Sequence, residues 1–173
     1  MLMKNKAIFL DRDGIINQER GDYTYKMADF VFVEDLVKSL RTFQKNGFRL
    51  IVISNQSGIS KGIYSFAEVE ELHAHVIRYM RLNGIEIDEL YYCPHHPDKG
   101  LCICRKPDSQ LIEKALARFQ IDRSQSWFIG DRQRDVDAGE KAGVRGVLVD
   151  SNSSLLALAQ KIVQTHTNDT THV

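Results

Sequence analysis

Short apolar runs with no polar residue inside them constrain this chain more than any other feature. Ala7-Ile8-Phe9-Leu10, Leu50-Ile51-Val52-Ile53, Trp127-Phe128-Ile129 and Val147-Leu148-Val149 are all unbroken. A strand with one wet face alternates apolar and polar residues, so an unbroken run reads as a strand buried on both faces. Between the runs the spacing becomes helical. Leu36, Leu40 and Phe43 form one stripe, which Gly47 stops. Ser65-x-x-Glu68 is a capping box opening a second helix with Phe66, Val69, Leu72, Val76 and Met80 inward. His73 and His75, interleaved with that stripe, are expected at the surface. Gly84 ends the helix, and residues 87–92 form a weaker strand. Leu111, Ile112, Ala115, Leu116 and Phe119 mark a third helix behind an Asp108 N-cap. Val136, Gly139 and Ala142 face inward on a fourth helix, and residues 155–163 form a fifth. Strands alternating with helices require a parallel sheet covered on both faces. The expected fold class is therefore α/β, a doubly wound, Rossmann-like parallel sheet.

A chain of 173 residues is long enough for one domain with a substantial core. That domain is expected over residues 1–164, with 165–173 a loose polar tail. Positive and negative side chains balance to a formal net charge of zero, which leaves no basic excess for nucleic acid or an anionic membrane. The apolar run before Asp11 is too short for a signal peptide, and no segment approaches transmembrane length. A cytoplasmic monomer acting on a small molecule is the expectation. Cys93, Cys102 and Cys104 are clustered and odd in number, which points to metal binding or free thiols rather than disulfides.

In such a sheet, ligands bind beyond the C-terminal ends of the strands. There the first run ends in Asp11-Arg12-Asp13-Gly14, the second in Ser54-Asn55 and the fourth in Gly130-Asp131. Continued strand alternation would place Asp11 and Asp13 on one face and turn Arg12 away. Two acids there can hold a metal, supply a nucleophile, or divide acid and base roles. Asp11 and Asp131 suit Mg²⁺, a hard cation that takes few carboxylates. Ser54 offers a hydroxyl to phosphoryl oxygens, and Lys106 is the candidate to neutralise their charge. The polar stretch from Gln18 to Tyr25 follows the carboxylates directly and should lie beside them as a flap.

Asp-x-Asp-Gly, Ser-Asn-Gln at a strand end, Arg-Lys-Pro and Gly-Asp-x-x-x-Asp together resemble the motif series of the haloacid dehalogenase (HAD) superfamily of phosphohydrolases. The resemblance runs from about residue 6 to residue 150. It implies that Asp11 attacks phosphorus and forms an aspartyl-phosphate, while Asp13 protonates the leaving oxygen and then activates water. Ser54 and Lys106 would bind the phosphoryl group. Asp11, the backbone of Asp13, and Asp131 would bind Mg²⁺, with Asp135 behind them. An acid at Asp13 needs a raised pKa, which neighbouring anions supply.

Cys93-Pro94-His95-His96 and Cys102-Ile103-Cys104 bring together a Cys₃His set of the kind that holds structural zinc. This loop resembles that of the D-glycero-D-manno-heptose 1,7-bisphosphate phosphatases and of the histidinol-phosphatase domain. By that likeness the zinc ligands are Cys93, His95, Cys102 and Cys104, and His96 is free. Carried over in the same way, Glu19, Arg20, Gly21, Asp22, Asn55, Gln56, Arg105 and Arg132 would contact substrate. The expected reaction is release of the 7-phosphate of the heptose bisphosphate, with histidinol phosphate as the alternative substrate. No insertion is long enough for a large cap domain. A zinc-stabilised binding module without catalysis is the alternative of another class.

Overall fold

The computed structural model describes residues 5–169. The apolar runs become β1 (Lys6–Leu10), β2 (Phe48–Asn55), β4 (Trp127–Gly130) and β5 (Arg145–Leu148), with β3 at Glu89–Cys93. They form one parallel sheet in the order β3-β2-β1-β4-β5. The helices are α1 (Leu36–Lys45), α2 (Phe66–Leu82), α3 (Gln110–Arg118), α4 (Gln133–Lys141) and α5 (Leu156–Asp169). The fold is thus the doubly wound α/β sheet that the runs require.

The two-residue period of a strand divides the core into two layers. Ile8, Leu10, Leu50, Val52 and Ile129 pack with apolar residues of α1, α2 and α5. Ala7, Phe9, Ile51, Ile53 and Phe128 pack with those of α3 and α4 on the other face. The central strand β1 pairs on both sides, Leu10 standing opposite Val52 and Ile129. Pairing continues one residue further, because the Asp11 N–H donates to the Ile129 carbonyl at 3.1 Å. The first carboxylate is therefore fixed by the sheet itself.

The capping box forms as the sequence predicts: Glu68 N–H donates to Ser65 Oγ at 3.2 Å, and Ser65 N–H to Glu68 Oε2 at 2.8 Å. Several other expectations are corrected. Phe66 opens α2 ahead of the buried stripe and is 55% exposed rather than inward. His73 is buried rather than exposed, and His75 is half-buried against the rings of Phe30 and Phe32. Ser109, not Asp108, precedes α3, and Asp108 pairs instead with Lys141 at 3.2 Å. The tail expected to be loose from residue 165 is helical as far as Asp169, and residues 170–173 lie outside the described part. There Thr165 Oγ1 donates back to the Lys161 carbonyl at 2.9 Å, the usual way a polar residue sits on a helix.

Candidate active site

Beyond Leu10 the chain leaves the strand geometry, and this decides where the carboxylates face. The N–H groups of Ile16 and Asn17 donate to the Arg12 carbonyl at 2.7 and 3.1 Å, curling residues 12–17 into a turn. Strand alternation therefore does not reach Arg12, and its side chain folds back instead of pointing away. The guanidinium is 1% exposed and lies against Asp13. Its Nη2 donates to Asp13 Oδ1 at 2.8 Å and to Asp13 Oδ2 at 3.0 Å. Gly14 makes the turn possible. Its φ is +85°, and a Cβ there would lie 2.4 Å from Asp131 Oδ2. A glycine thus lets the end of β1 press directly on the end of β4.

Asp11, Asp131 and Asp135 bring carboxylate oxygens within 4.8 Å of one another. Lys106 is inserted behind them, its Nζ 2.7 Å from Asp11 Oδ1 and 2.8 Å from Asp135 Oδ1. The same ammonium donates to the Ile53 carbonyl at 2.7 Å. Asp135 also caps α4, accepting from the Arg132 N–H at 3.0 Å. Burial pushes the Asp11 carboxyl up to about 7, with Asp135 and Asp13 adding to the rise and Lys106 opposing it. Burial also acts to raise Asp13, but the charge of Arg12 and hydrogen bonds from Arg12, Asn17 and Gln56 hold it below the usual range. This is the reverse of the order expected from sequence. Burial of Asp11 causes the one half, and the turned-back Arg12 beside Asp13 the other.

Asn55 lines the cleft, and Ser54 lies beneath its surface. Ser54 is fully buried and its Oγ accepts from Gln56 Nε2 at 2.8 Å. Gln56 also donates to Asp13 Oδ2 at 3.2 Å and accepts from the Tyr64 hydroxyl at 2.8 Å. Asn55 binds the main chain of Lys106 reciprocally: the Lys106 N–H reaches Asn55 Oδ1, and Asn55 Nδ2 reaches the Lys106 carbonyl, both at 3.1 Å. Its amide therefore fastens the lysine loop to the end of β2, at the edge of the cleft.

The cleft above these groups measures about 530 Å³. Glu19, Gly21 and Asp22 line it, as do Gln56, Arg105 and Arg132. Arg20 does not, since it pairs outside with Asp29 at 2.7 Å. Tyr23 and Thr24, in the flap that the sequence predicts, also line the cleft, whereas sequence reasoning missed His96 and Arg134 there. It also missed Asn152, which accepts from Glu19 N–H at 2.6 Å and donates to the Glu19 carbonyl at 3.1 Å, latching the flap. Ser151 beside it donates to Asp131 Oδ2. The polar segment 150–152 after β5 carries the same signal as the other strand ends, so it was there to be found.

The cysteine loop also closes on itself. Cys93 Sγ lies 3.7 Å from Cys102 Sγ and 3.5 Å from His95 Nδ1, and Cys104 Sγ lies 3.2 Å from that nitrogen. Tetrahedral zinc, with bonds of about 2.3 Å to sulfur and about 2.0–2.1 Å to nitrogen, has edges of about 3.5–3.8 Å. The donor set fits that ion in chemistry and in span. Cys93 and Cys104 are the closest pair, at 3.1 Å. Arg105 follows directly and donates to the His95 carbonyl at 3.2 Å, which ties the loop to the cleft.

Fold and site together define a class, the HAD-like hydrolases, and the HAD-hydrolase-like family model matches residues 103–171. The D,D-heptose 1,7-bisphosphate phosphatase of B. bronchiseptica, solved with magnesium and phosphate, has the same fold. Its TM-score is 0.78 at 24% identity, over 92% of this chain and 99% of that one. The D-glycero-beta-D-manno-heptose-1,7-bisphosphate 7-phosphatase of Haemophilus ducreyi is 36% identical over 92% of this chain and 91% of its own. The D-glycero-alpha-D-manno-heptose-1,7-bisphosphate 7-phosphatase of Photorhabdus laumondii is also 36% identical, over 82% of this chain and 80% of its own. The chain belongs to the family of these HAD-like phosphatases and is a phosphoric monoester hydrolase.

Proposed function

We propose that the protein hydrolyses the 7-phosphate of D-glycero-D-manno-heptose 1,7-bisphosphate through an aspartyl-phosphate on Asp11, with Mg²⁺ as cofactor. The observation that carries this reading is Asp11 at the end of the central strand, with Lys106 and Asp131 beside it and Asp13 held over the same cleft. An Asp11 oxygen bonds to phosphorus while the phosphorus–oxygen bond to the sugar breaks. The departing electron pair takes the proton of Asp13. Asp13 then accepts a proton from water as the water oxygen bonds to phosphorus, and the bond from Asp11 to phosphorus breaks. Phosphate leaves and both carboxyl groups are restored.

Asp11, Asp131 and the main-chain carbonyl of Asp13 would hold Mg²⁺, a set of hard oxygens that suits it. When bound, the cation offsets the charge on the phosphoryl oxygens and favours ionised Asp11. The incoming phosphate and the Asp11 carboxylate act on Asp13 in the opposite sense from Arg12 and favour its protonated form. Lys106, with Ser54 behind it, supplies positive charge where the phosphoryl group sits. Cys93, His95, Cys102 and Cys104 would hold a structural Zn²⁺ that fixes the loop leading to Arg105 and Lys106.

Substrate choice rests on the charge of the cleft. Arg105, Arg132 and Arg134 line it together, an arrangement suited to a second phosphate. Histidinol phosphate would bring its ammonium group against the same arginines. The test is phosphate release from the heptose bisphosphate and from histidinol phosphate, with and without Mg²⁺. Preference for the bisphosphate, dependent on Mg²⁺ and abolished in a folded Asp11→Asn variant, is the expected result. Preference for histidinol phosphate overturns the substrate. Near-normal turnover by Asp11→Asn overturns the mechanism.

A further inference from the structure

Arg12 stands between the two catalytic aspartates at the wall of the cleft and is 1% exposed. Each of its three nitrogens faces a fixed partner. Nε and Nη2 hold the Asp13 carboxylate from one side, at 3.3 Å and at 2.8 and 3.0 Å. Nη2 also donates to the Thr24 carbonyl at 2.6 Å, and Nη1 lies 3.2 Å from His73 Nε2. His73 is itself buried on α2, edge-on to the Tyr92 ring at 5.2 Å between centroids. The guanidinium is thus seated on a helix side chain and on the flap backbone, and offers its remaining edge to Asp13. A planar fork in such a seat sets the direction of a carboxylate, which a compact ammonium does not.

We propose that Arg12 is the positioning residue of the acid–base step, with His73 as the seat that orients it. The proposal rests on the phosphatase reading above. Asn17 Nδ2 and Gln56 Nε2 also reach Asp13, at 3.0 and 3.2 Å, but Arg12 alone grips both of its oxygens. General-acid assistance matters most when the leaving group is poor. Misaiming Asp13 should therefore depress turnover of poor leaving groups selectively, whereas general disruption of the site would depress all substrates alike.

The test compares kcat/KM for phenyl phosphate and 4-nitrophenyl phosphate in the wild-type protein with Mg²⁺ and in Arg12→Lys, His73→Leu and His73→Gln. Arg12→Lys is expected to lose on the order of 100-fold with phenyl phosphate, as a misplacement of about 1 Å does, and much less with the nitrophenyl ester. His73→Leu removes the acceptor for Nη1 and should show the same selectivity at smaller size. His73→Gln returns an acceptor and should recover most of the loss. Equal losses with both esters, or no loss, overturn the proposal. If Arg12→Lys does not fold, the two His73 variants decide by the same criterion. A wild-type protein that releases phosphate neither from these esters nor from the heptose bisphosphate would remove the phosphatase reading, and this proposal with it.

Discussion

The side chains that run this site are held by groups that take no part in the chemistry, and Asn55 shows how. The sequence placed it among substrate contacts, but its amide clasps the Lys106 peptide across a gap of 51 residues, with both bonds at 3.1 Å. Losing that clasp should displace the lysine more than it weakens substrate binding. For Asn55→Ala we expect kcat to fall by on the order of 100-fold, with a much smaller change in KM. Steady-state kinetics on the preferred substrate checks this, and a rise in KM at unchanged kcat would return Asn55 to a binding role. Gly14 shows the same dependence from the backbone side. No side chain fits between the end of β1 and Asp131, so a small residue is a condition for bringing those two carboxylates together.

Among the elements, α2 is the one whose reading changed most. Its capping box and its stripe at Val69, Leu72, Val76 and Met80 were legible, because both follow from local spacing. His73 lies on that same face by its spacing from Val69 and Val76, and what no local spacing shows is its pairing with Arg12, sixty-one positions away. The same division holds across the chain. Asp11, Asp131 and Lys106 could be read from motifs at strand ends, and segment 150–152 carried the same signal, whereas the pairing of Asn152 with Glu19 and of Arg12 with His73 arises from long-range closure that no local pattern encodes. The burial of His73 has a measurable effect. Burial first, and the charge of Arg12 second, push the ring down to about 3 against the pull of Asp13. An unfolded histidine titrates near 6.5, so below that pH the unfolded chain takes up a proton that the folded chain refuses. Stability should fall as the pH drops from about 6.5 toward about 3. Between about pH 7 and about pH 5 the loss from this residue is roughly 2 kcal/mol. Urea unfolding should show wild type losing that much more stability over this interval than His73→Gln. Parallel pH profiles would refute the assignment.

For the molecule as a whole, two apolar layers around a five-stranded sheet provide a core to which the cysteine loop adds only Cys93, with Cys102 and Cys104 packed against its edge. Removing zinc should therefore loosen residues 93–107 and leave the rest folded. Because Lys106 and Arg105 follow the last ligand directly, activity should drop by on the order of 100-fold. A chelated sample, or Cys104→Ser, should keep its circular dichroism while losing phosphatase activity. Full activity in protein shown to be free of zinc would deny the loop its positioning role. No helix among the described residues is long and apolar enough to cross a membrane. The two sets of metal-binding residues also differ in how far apart they lie along the chain. All four candidate zinc donors fall between Cys93 and Cys104, but Asp11 meets Asp131 and Asp135 only after β4 has been added beside β1. A chain made from its N-terminus holds every zinc donor before either later aspartate exists. The lysine loop is thus the first part of the active site that can be completed. Asp11, among the earliest residues made, must wait for nearly the whole sheet before it meets those partners.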